Sequence, residues 1–270
     1  MQKDRVSSLQ TRNGLRFYQA AHLEATEHVI HTFSTRQGGV SPPPYYSLNL
    51  SLNTGDERVH VTRNREILTR AFGLLPSVLL TVNQNHGDDI LIVGSSSPED
   101  LSETSCDAMI TDRPGIAIGV LTADCVPILL FDPDHQAVAA IHVGWKGTAS
   151  DLPGKTITTM GEQFKTRPES LLAAVGPAIG SCCYEVDGPV HSTFSHLHDR
   201  WPKWARAVTP IHWMLNLSQA NVDLLVDAGA RQENIVRINI CTSCQEDLFY
   251  SHRRDGRNTG RQISFIMLKR

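Results

Sequence analysis

Three short segments of this chain carry side chains able to do chemistry. Gln84-Asn85-His86-Gly87, Ala123-Asp124-Cys125 and Ile141-His142-Val143-Gly144-Trp145 each set one imidazole or thiol beside a small or turn-forming residue. Three such donors around a tetrahedral ion leave one position open for water or substrate, which separates a catalytic zinc from a closed structural one. A cysteine with two histidines also describes a thiolate nucleophile with its base, Cys125 attacking and His142 or His86 moving the proton. Spacing decides neither question. The three residues lie far apart, and 12 His and 6 Cys allow many other triples.

Other groups extend the inventory. Arg36, Lys146, Arg253, Arg254 and Arg261 sit near glycine-containing loops and could hold phosphate, although Arg253 to Arg261 also reads as an ordinary solvated stretch. Asp107, Asp124 and Glu185 could shuttle protons or orient ligands, and equally could cap helices or form ion pairs. Cys182-Cys183 with Cys241-Thr242-Ser243-Cys244 raises a four-thiolate structural site, but only the second pair has the CxxC form and adjacent cysteines chelate poorly. Packing thiols are the expectation there.

Apolar runs separated by turns must position these groups. Val78 to Val82, Ile90 to Val93, Ile116 to Leu121, Val126 to Phe131 and Ala137 to His142 read as strands. The turn signal Asp132 to Gln136 makes the last two an antiparallel pair. His86, Cys125 and His142 then fall where strands meet loops, which is where sites are usually built. Helices are expected from Asp56 to Phe72, stopped by Gly73 and Pro76; from a cap at Asp151 to Phe164; and from Ser218 to Gly229. Strands at Leu171 to Val175 and Ile235 to Ile240 complete an α+β pattern without GxGxxG or a P-loop.

A length of 270 residues suffices for a core without staples, and the absence of linkers and repeats predicts a single domain over residues 1–270. A formal charge of -3 offers no global field for nucleic acid. No apolar run approaches the roughly 20 residues that span a bilayer. Met1 to Gln10 lacks an apolar signal core, so a cytoplasmic protein with reduced thiols is expected.

Motifs along nearly the whole chain, from about residue 30 to 268, carry a resemblance. They are Phe33-Ser34-Thr35-Arg36-Gln37-Gly38-Gly39-Val40-Ser41, Leu48-Asn49-Leu50, His86-Gly87, Thr122-Ala123-Asp124-Cys125-Val126-Pro127 and His142-Val143-Gly144-Trp145-Lys146-Gly147. Further along come Gly176-Pro177-Ala178-Ile179 with Cys183-Tyr184-Glu185-Val186, and Phe249-Tyr250-Ser251-His252-Arg253-Arg254-Asp255-Gly256. Together they resemble the laccase-domain family, first described as multicopper polyphenol oxidases and later assigned purine nucleoside phosphorylase and adenosine deaminase activities.

The resemblance implies a layered α/β/β/α arrangement with mixed β-sheets, and a Zn2+ held by the positions matching His86, Cys125 and His142, which would also be the catalytic residues. It implies a purine nucleoside and phosphate as substrates, with Arg36, Asn49 and Lys146 binding them. The activity would be phosphorolysis of adenosine, inosine, guanosine and methylthioadenosine, with deamination of adenosine. Zinc lowers the pKa of water toward ~7, which deamination needs. Two positions depart from the pattern: Asn85 stands where the family often has Val, and Lys146 where it has Arg, giving a point charge instead of a planar fork. An amide hydrolase editing peptidoglycan precursors is the alternative. A copper-dependent oxidase is disfavoured because blue and trinuclear copper need histidine-rich HxH pairs and the chain has one, His196-Leu197-His198; copper could still occupy the same His/Cys/His site.

Overall fold

A computed structural model describes residues 7–94, 101, 103–197 and 199–270, so residues 1–6 and His198 lie outside the described part. Val126–Asp132 and Ala137–Val143 are buried at every position. That explains their continuous apolar runs, because a strand covered on both faces has no polar side to alternate with. Ile128 and Leu130 point into one core, Leu129 into another. The two strands pair antiparallel from Val126 opposite Val143 to Asp132 opposite Ala137, as the intervening turn signal predicts.

They form the centre of a six-stranded mixed sheet whose spatial order is Ile235–Arg237, Leu172–Val175, Val126–Asp132, Ala137–Val143, Ala108–Thr111, Ile90–Ile92. A second six-stranded sheet runs Ser7–Arg12, Leu15–Ala20, Val29–Ser34, Gln262–Leu268, Ala117–Thr122, Leu79–Leu80. The sheets stack through Phe33, Val120 and Ile266 of one and Met109, Leu129 and Ala140 of the other. On the outer face of the first sheet, Ile128, Ala139 and Ile141 pack under the helices Leu152–Phe164 and Leu217–Asp227. On the outer face of the second, Phe17, Ile263 and Phe265 meet the helix Arg58–Ala71 through Leu68, Ala71 and Phe72. The result is α+β with the α/β/β/α layering that the resemblance implies.

Asp151 caps its helix by accepting from Gly154 N at 3.1 Å, as expected. Other boundaries shift. Leu79–Leu80 is only two residues, because Pro76–Val78 forms a 3-10 turn, and Ile235–Arg237 ends before Ile240. The strands Ala108–Thr111 and Gln262–Leu268, and the small sheet Glu185–Asp187, His212–Leu215, Ala205–Thr209, are absent from the sequence reading. No helix among the described residues is long and apolar enough to cross a membrane.

Candidate metal centre and cavity

The site forms at one end of the stacked sheets, where the chain passes from one sheet to the other. Residues 123–125 link Ala117–Thr122 of the second sheet to Val126–Asp132 of the first, and His86 lies on the parallel crossing from Leu79–Leu80 to Ile90–Ile92. His142 stands near the end of Ala137–Val143, opposite Pro127. Two of these links hold left-handed backbone at residues with a Cβ, His86 at φ 60° and Asp124 at φ 98°. Such conformations persist only where surrounding contacts over-determine them. Asp107 does this for His86, accepting from its N–H at 3.1 Å and from Gly87 N–H at 2.7 Å. Asp124 is held through its carboxylate, which accepts from Thr242 Oγ1 and Arg253 N–H, both at 2.7 Å.

This folding brings the donor atoms of His86, Cys125 and His142 within 4.8 Å of one another. Cys125 Sγ lies 3.8 Å from His86 Nε2, and the two imidazole rings stand nearly perpendicular, 4.8 Å between centroids. Gly144 makes the approach possible: a Cβ there would lie 3.2 Å from His86 Cδ2 and 3.3 Å from Cys125 Sγ. Asp107 Oδ1 engages His142 Nδ1 at 2.6 Å, which leaves Nε2 as the atom available to a metal, the arrangement usual where a carboxylate orients a ligating histidine.

The electrostatics suit a cation. Burial would raise the Cys125 thiol, but the charge and hydrogen bond of His142, with those of His86, bring it down to about 6. Burial would lower His142, yet the Cys125 charge and the Asp107 hydrogen bond carry it up to about 9. Each group favours the charged form of the other. The pair therefore holds a proton on His142 that a metal would displace; with it gone, a borderline-soft donor set of thiolate and oriented imidazole fits a divalent transition metal.

The triad forms part of the wall of a cavity of about 460 Å³, with Asn53, Trp145, Tyr184, His252, Arg253 and Arg261 among the other lining residues. Arg253 Nη1 donates to Glu185 O at 2.9 Å, and the guanidinium lies 5.1 Å from the Tyr184 ring centroid. Arg261 Nη1 donates to Thr259 O and Gly260 O at 3.0 and 2.9 Å. Partial burial lowers the Arg261 guanidinium while the charges of Cys125 and Asp124 support it, so it is a half-buried cation beside the donor set.

The three substrate-binding residues implied by the resemblance are placed elsewhere. Arg36 lines a separate pocket with Glu246 and Asp255; its Nε donates to Tyr46 O at 2.7 Å and its Nη1 to Glu246 O at 3.1 Å, over the Tyr250 ring. Asn49 is fully buried, donating to Asp56 and Thr54 and accepting from Arg261 N–H, so it braces the loop that carries Arg261. Lys146 is exposed, 5.6 Å from the Trp145 ring centroid, and is not part of the cavity wall. Among the carboxylates, Asp107 and Asp124 serve the site directly, whereas Glu185 is exposed. Asn53 had no distinguishing sequence signal as a wall residue; His252 lies within one of the motifs that carry the resemblance, but no role was drawn from it.

The chain matches the family described as multi-copper polyphenol oxidoreductase laccase over residues 30–269. It is 36% identical over 240 residues to purine nucleoside phosphorylase YlmD of Geobacillus stearothermophilus, covering 86% of this chain and 88% of that one. It is 37% identical over 238 residues to purine nucleoside phosphorylase YfiH of Escherichia coli K12, covering 87% and 92%. The crystal structure of hypothetical protein YfiH from Bacillus licheniformis superposes with a TM-score of 0.92 at 32% identity, covering 98% of this chain and all of that one. With the fold, the motif positions and the match along nearly its full length in agreement, this chain belongs to the laccase-domain family that includes YfiH and YlmD.

Proposed function

We propose that the chain is a purine nucleoside phosphorylase that also deaminates adenosine, working as one unit with zinc held by His86, Cys125 and His142. The observation that carries this reading is a single cavity bounded by that donor set and by the guanidinium groups of Arg253 and Arg261. Its volume, about 460 Å³, lies in the ~300–1,000 Å³ range of small-molecule pockets. The substrate class, a purine nucleoside with phosphate, comes from the names of the relatives.

The surroundings of each residue set its task. Arg253 and Arg261 take over the phosphate role expected of Arg36 and Lys146, since they are the cations that face the cavity. Carbonyl contacts fix one nitrogen of each guanidinium, which orients the fork toward an anion. Tyr184 and Trp145 offer flat faces to a purine. In phosphorolysis a phosphate oxygen bonds to the sugar carbon as the carbon–nitrogen bond to the base breaks, and we assign protonation of the departing base to His252 in the cavity wall. Zinc, when bound, supplies a Lewis acid and lowers the pKa of water for deamination.

Incubation with adenosine and inosine, with and without phosphate, followed by mass identification of products, tests the reading. Hypoxanthine with ribose 1-phosphate, formed from inosine only when phosphate is present, is expected, and so is inosine from adenosine without phosphate. Absence of turnover at high enzyme concentration overturns the assignment.

A second reading has its own observation. Asp107, His142 and Cys125 follow one another as carboxylate, imidazole and low-pKa thiol, the order of a cysteine hydrolase acting on an amide such as a peptidoglycan precursor. Activity that survives complete zinc removal but is blocked by iodoacetamide would favour it; loss with zinc and recovery on zinc addition would favour the phosphorylase.

A further inference from the structure

We propose a second metal site in this chain, a structural zinc bound by the four thiolates of Cys182, Cys183, Cys241 and Cys244. The sulfurs come from two turns about sixty residues apart in sequence, yet all four lie within 4.8 Å of one another. Cys244 Sγ is 3.5 Å from that of Cys182 and 3.4 Å from that of Cys183. A tetrahedral zinc with bonds of ~2.3 Å sets its sulfurs about 3.8 Å apart, so a small outward adjustment admits the ion. A four-iron cluster needs wider sulfur spacing, and a disulfide needs about 2.05 Å; all six cysteines are unpaired.

Packing does not account for the cluster. Cys106 shows what a packing thiol looks like here: it is 2% exposed, set in the core between the sheets, and burial with the nearby charges of Asp107 and Asp89 pushes its thiol up to about 12. Cys182 and Cys244 are exposed, Cys183 and Cys241 partly so, and none of the four belongs to a hydrophobic core. Four sulfurs gathered at a surface gain little from burial. A cation supplies the reason to gather them, and the exposure gives it a way in.

The backbone is also arranged for such an ion. Gly180 N–H donates to Cys241 Sγ at 3.2 Å, and a Cβ at Gly180 would stand 3.1 Å from Cys241 Cβ and 3.2 Å from Cys182 Sγ, so glycine lets the two turns meet. Adjacent cysteines are poor chelators in an extended chain. Here the turn closed by Cys183 N–H and Tyr184 N–H on Gly180 O brings both Sγ atoms within reach of Cys244. On binding, each thiol releases its proton, four sulfur–zinc bonds form and nothing is oxidised or reduced, leaving two net negative charges. Two guanidiniums lie ready to balance them, Arg253 on Cys183 O and Arg254 on Thr242 O and Ser243 O.

The site would fasten part of the cavity wall. One turn leads directly into Tyr184, and the other carries Thr242, whose hydroxyl holds Asp124 beside Cys125. Zinc here would pre-organise the cavity without touching substrate.

The double variant His86→Ala, Cys125→Ser removes two donors of the first candidate site and leaves the four-cysteine cluster intact. Purified in reductant with zinc sulfate and then desalted, it should retain one zinc per chain, and X-ray absorption at the zinc edge should show four sulfur neighbours near 2.3 Å. Wild type should hold two. A metal-free double variant, or a zinc shell containing nitrogen, overturns the proposal, as does a disulfide between Cys244 and Cys182 or Cys183, seen as an intact mass two hydrogens light, in protein purified under air without reductant. Cys182→Ser with Cys244→Ser should reduce wild type to one zinc; if that variant fails to fold, the absorption measurement on the first decides alone.

Discussion

Asp107 and His142 are joined twice, carboxylate to imidazole at 2.6 Å and backbone carbonyl to amide N–H at 2.7 Å. The strand pairing that sets Ala108 opposite Ile141 therefore also sets the orienting carboxylate against the ring it orients. The other carboxylate oxygen accepts from Gly87 N–H, so one buried residue aligns two of the three donors.

Asp107→Asn should weaken zinc binding at the three-donor site by about 10- to 100-fold, the usual effect of losing such an orienting group. An amide must turn its NH2 toward either His142 Nδ1 or Gly87 N–H, both of which face an acceptor in the native site. Competition against a zinc-binding dye checks this. Unchanged affinity would mean that Asp107 only braces the loop.

Gly144→Ala should separate the donors. The added methyl would stand 3.2 Å from His86 Cδ2 and 3.3 Å from Cys125 Sγ, tighter than ordinary contact. Since His86 is exposed, it can yield without disturbing the core. Thermal stability should change little while zinc affinity and turnover fall together; a loss of stability with affinity intact would place the strain in the fold.

That His86, Cys125 and His142 lie at strand ends beside turn-forming residues was legible in sequence; that they belong together was not, because no spacing joins them and only the resemblance singles out this triple. Asp107 was named with Asp124 and Glu185, but choosing among the three needed the strand Ala108–Thr111, which is too short and too buried to show a period. For Arg36 the glycine-rich loop suggested a phosphate cradle; in the structure Tyr46 O and the sequence-distant Glu246 O hold the guanidinium beside a second pocket, apart from the cavity. The turn Asp132 to Gln136 made one hairpin visible; the hairpins Ser7–Arg12 with Leu15–Ala20 and Ala205–Thr209 with His212–Leu215, and the crossing of Gln262–Leu268 between Val29–Ser34 and Ala117–Thr122, a pairing across most of the chain, were not.

His31 gives the stability a pH dependence of its own. Its Nε2 accepts from Ala20 N–H at 2.9 Å, and its Nδ1 has no hydrogen-bond partner among the described residues, so the ring is neutral in the folded state. Burial, with the nearby His22, lowers its pKa from 6.5 to about 3. Below pH 6.5 the unfolded chain takes up a proton that the folded chain refuses until about pH 3, so this contribution is whole above 6.5 and declines as pH falls between those values. The limiting slope is about 1.4 kcal/mol per pH unit. Denaturant melts of wild type and His31→Gln from pH 7.5 to 4.5 should show a shallower acid decline in the variant. Parallel curves would mean that water reaches the ring.

Arg261 and Arg36 separate the two possible phosphate sites. Arg261 is a half-buried cation in the cavity wall, close enough to Cys125 and Asp124 to feel their charges. Removing a charge-assisted contact of about 1.5–3 kcal/mol corresponds to roughly 10- to 100-fold in binding. Arg261→Met should therefore raise the phosphate KM of phosphorolysis by that factor, with Arg261→Lys recovering part of it. Phosphate-independent deamination of adenosine should change far less, because it needs no second anion. Arg36→Met should leave phosphate dependence alone and instead lower stability by about 1–3 kcal/mol, since its guanidinium spans Tyr46 O, Glu246 O and the Tyr250 ring. A phosphate KM that rises with Arg36→Met but not with Arg261→Met would move the anion site to the second pocket. Equal loss of both reactions in Arg261→Met would make Arg261 a support for the nucleoside or the loop.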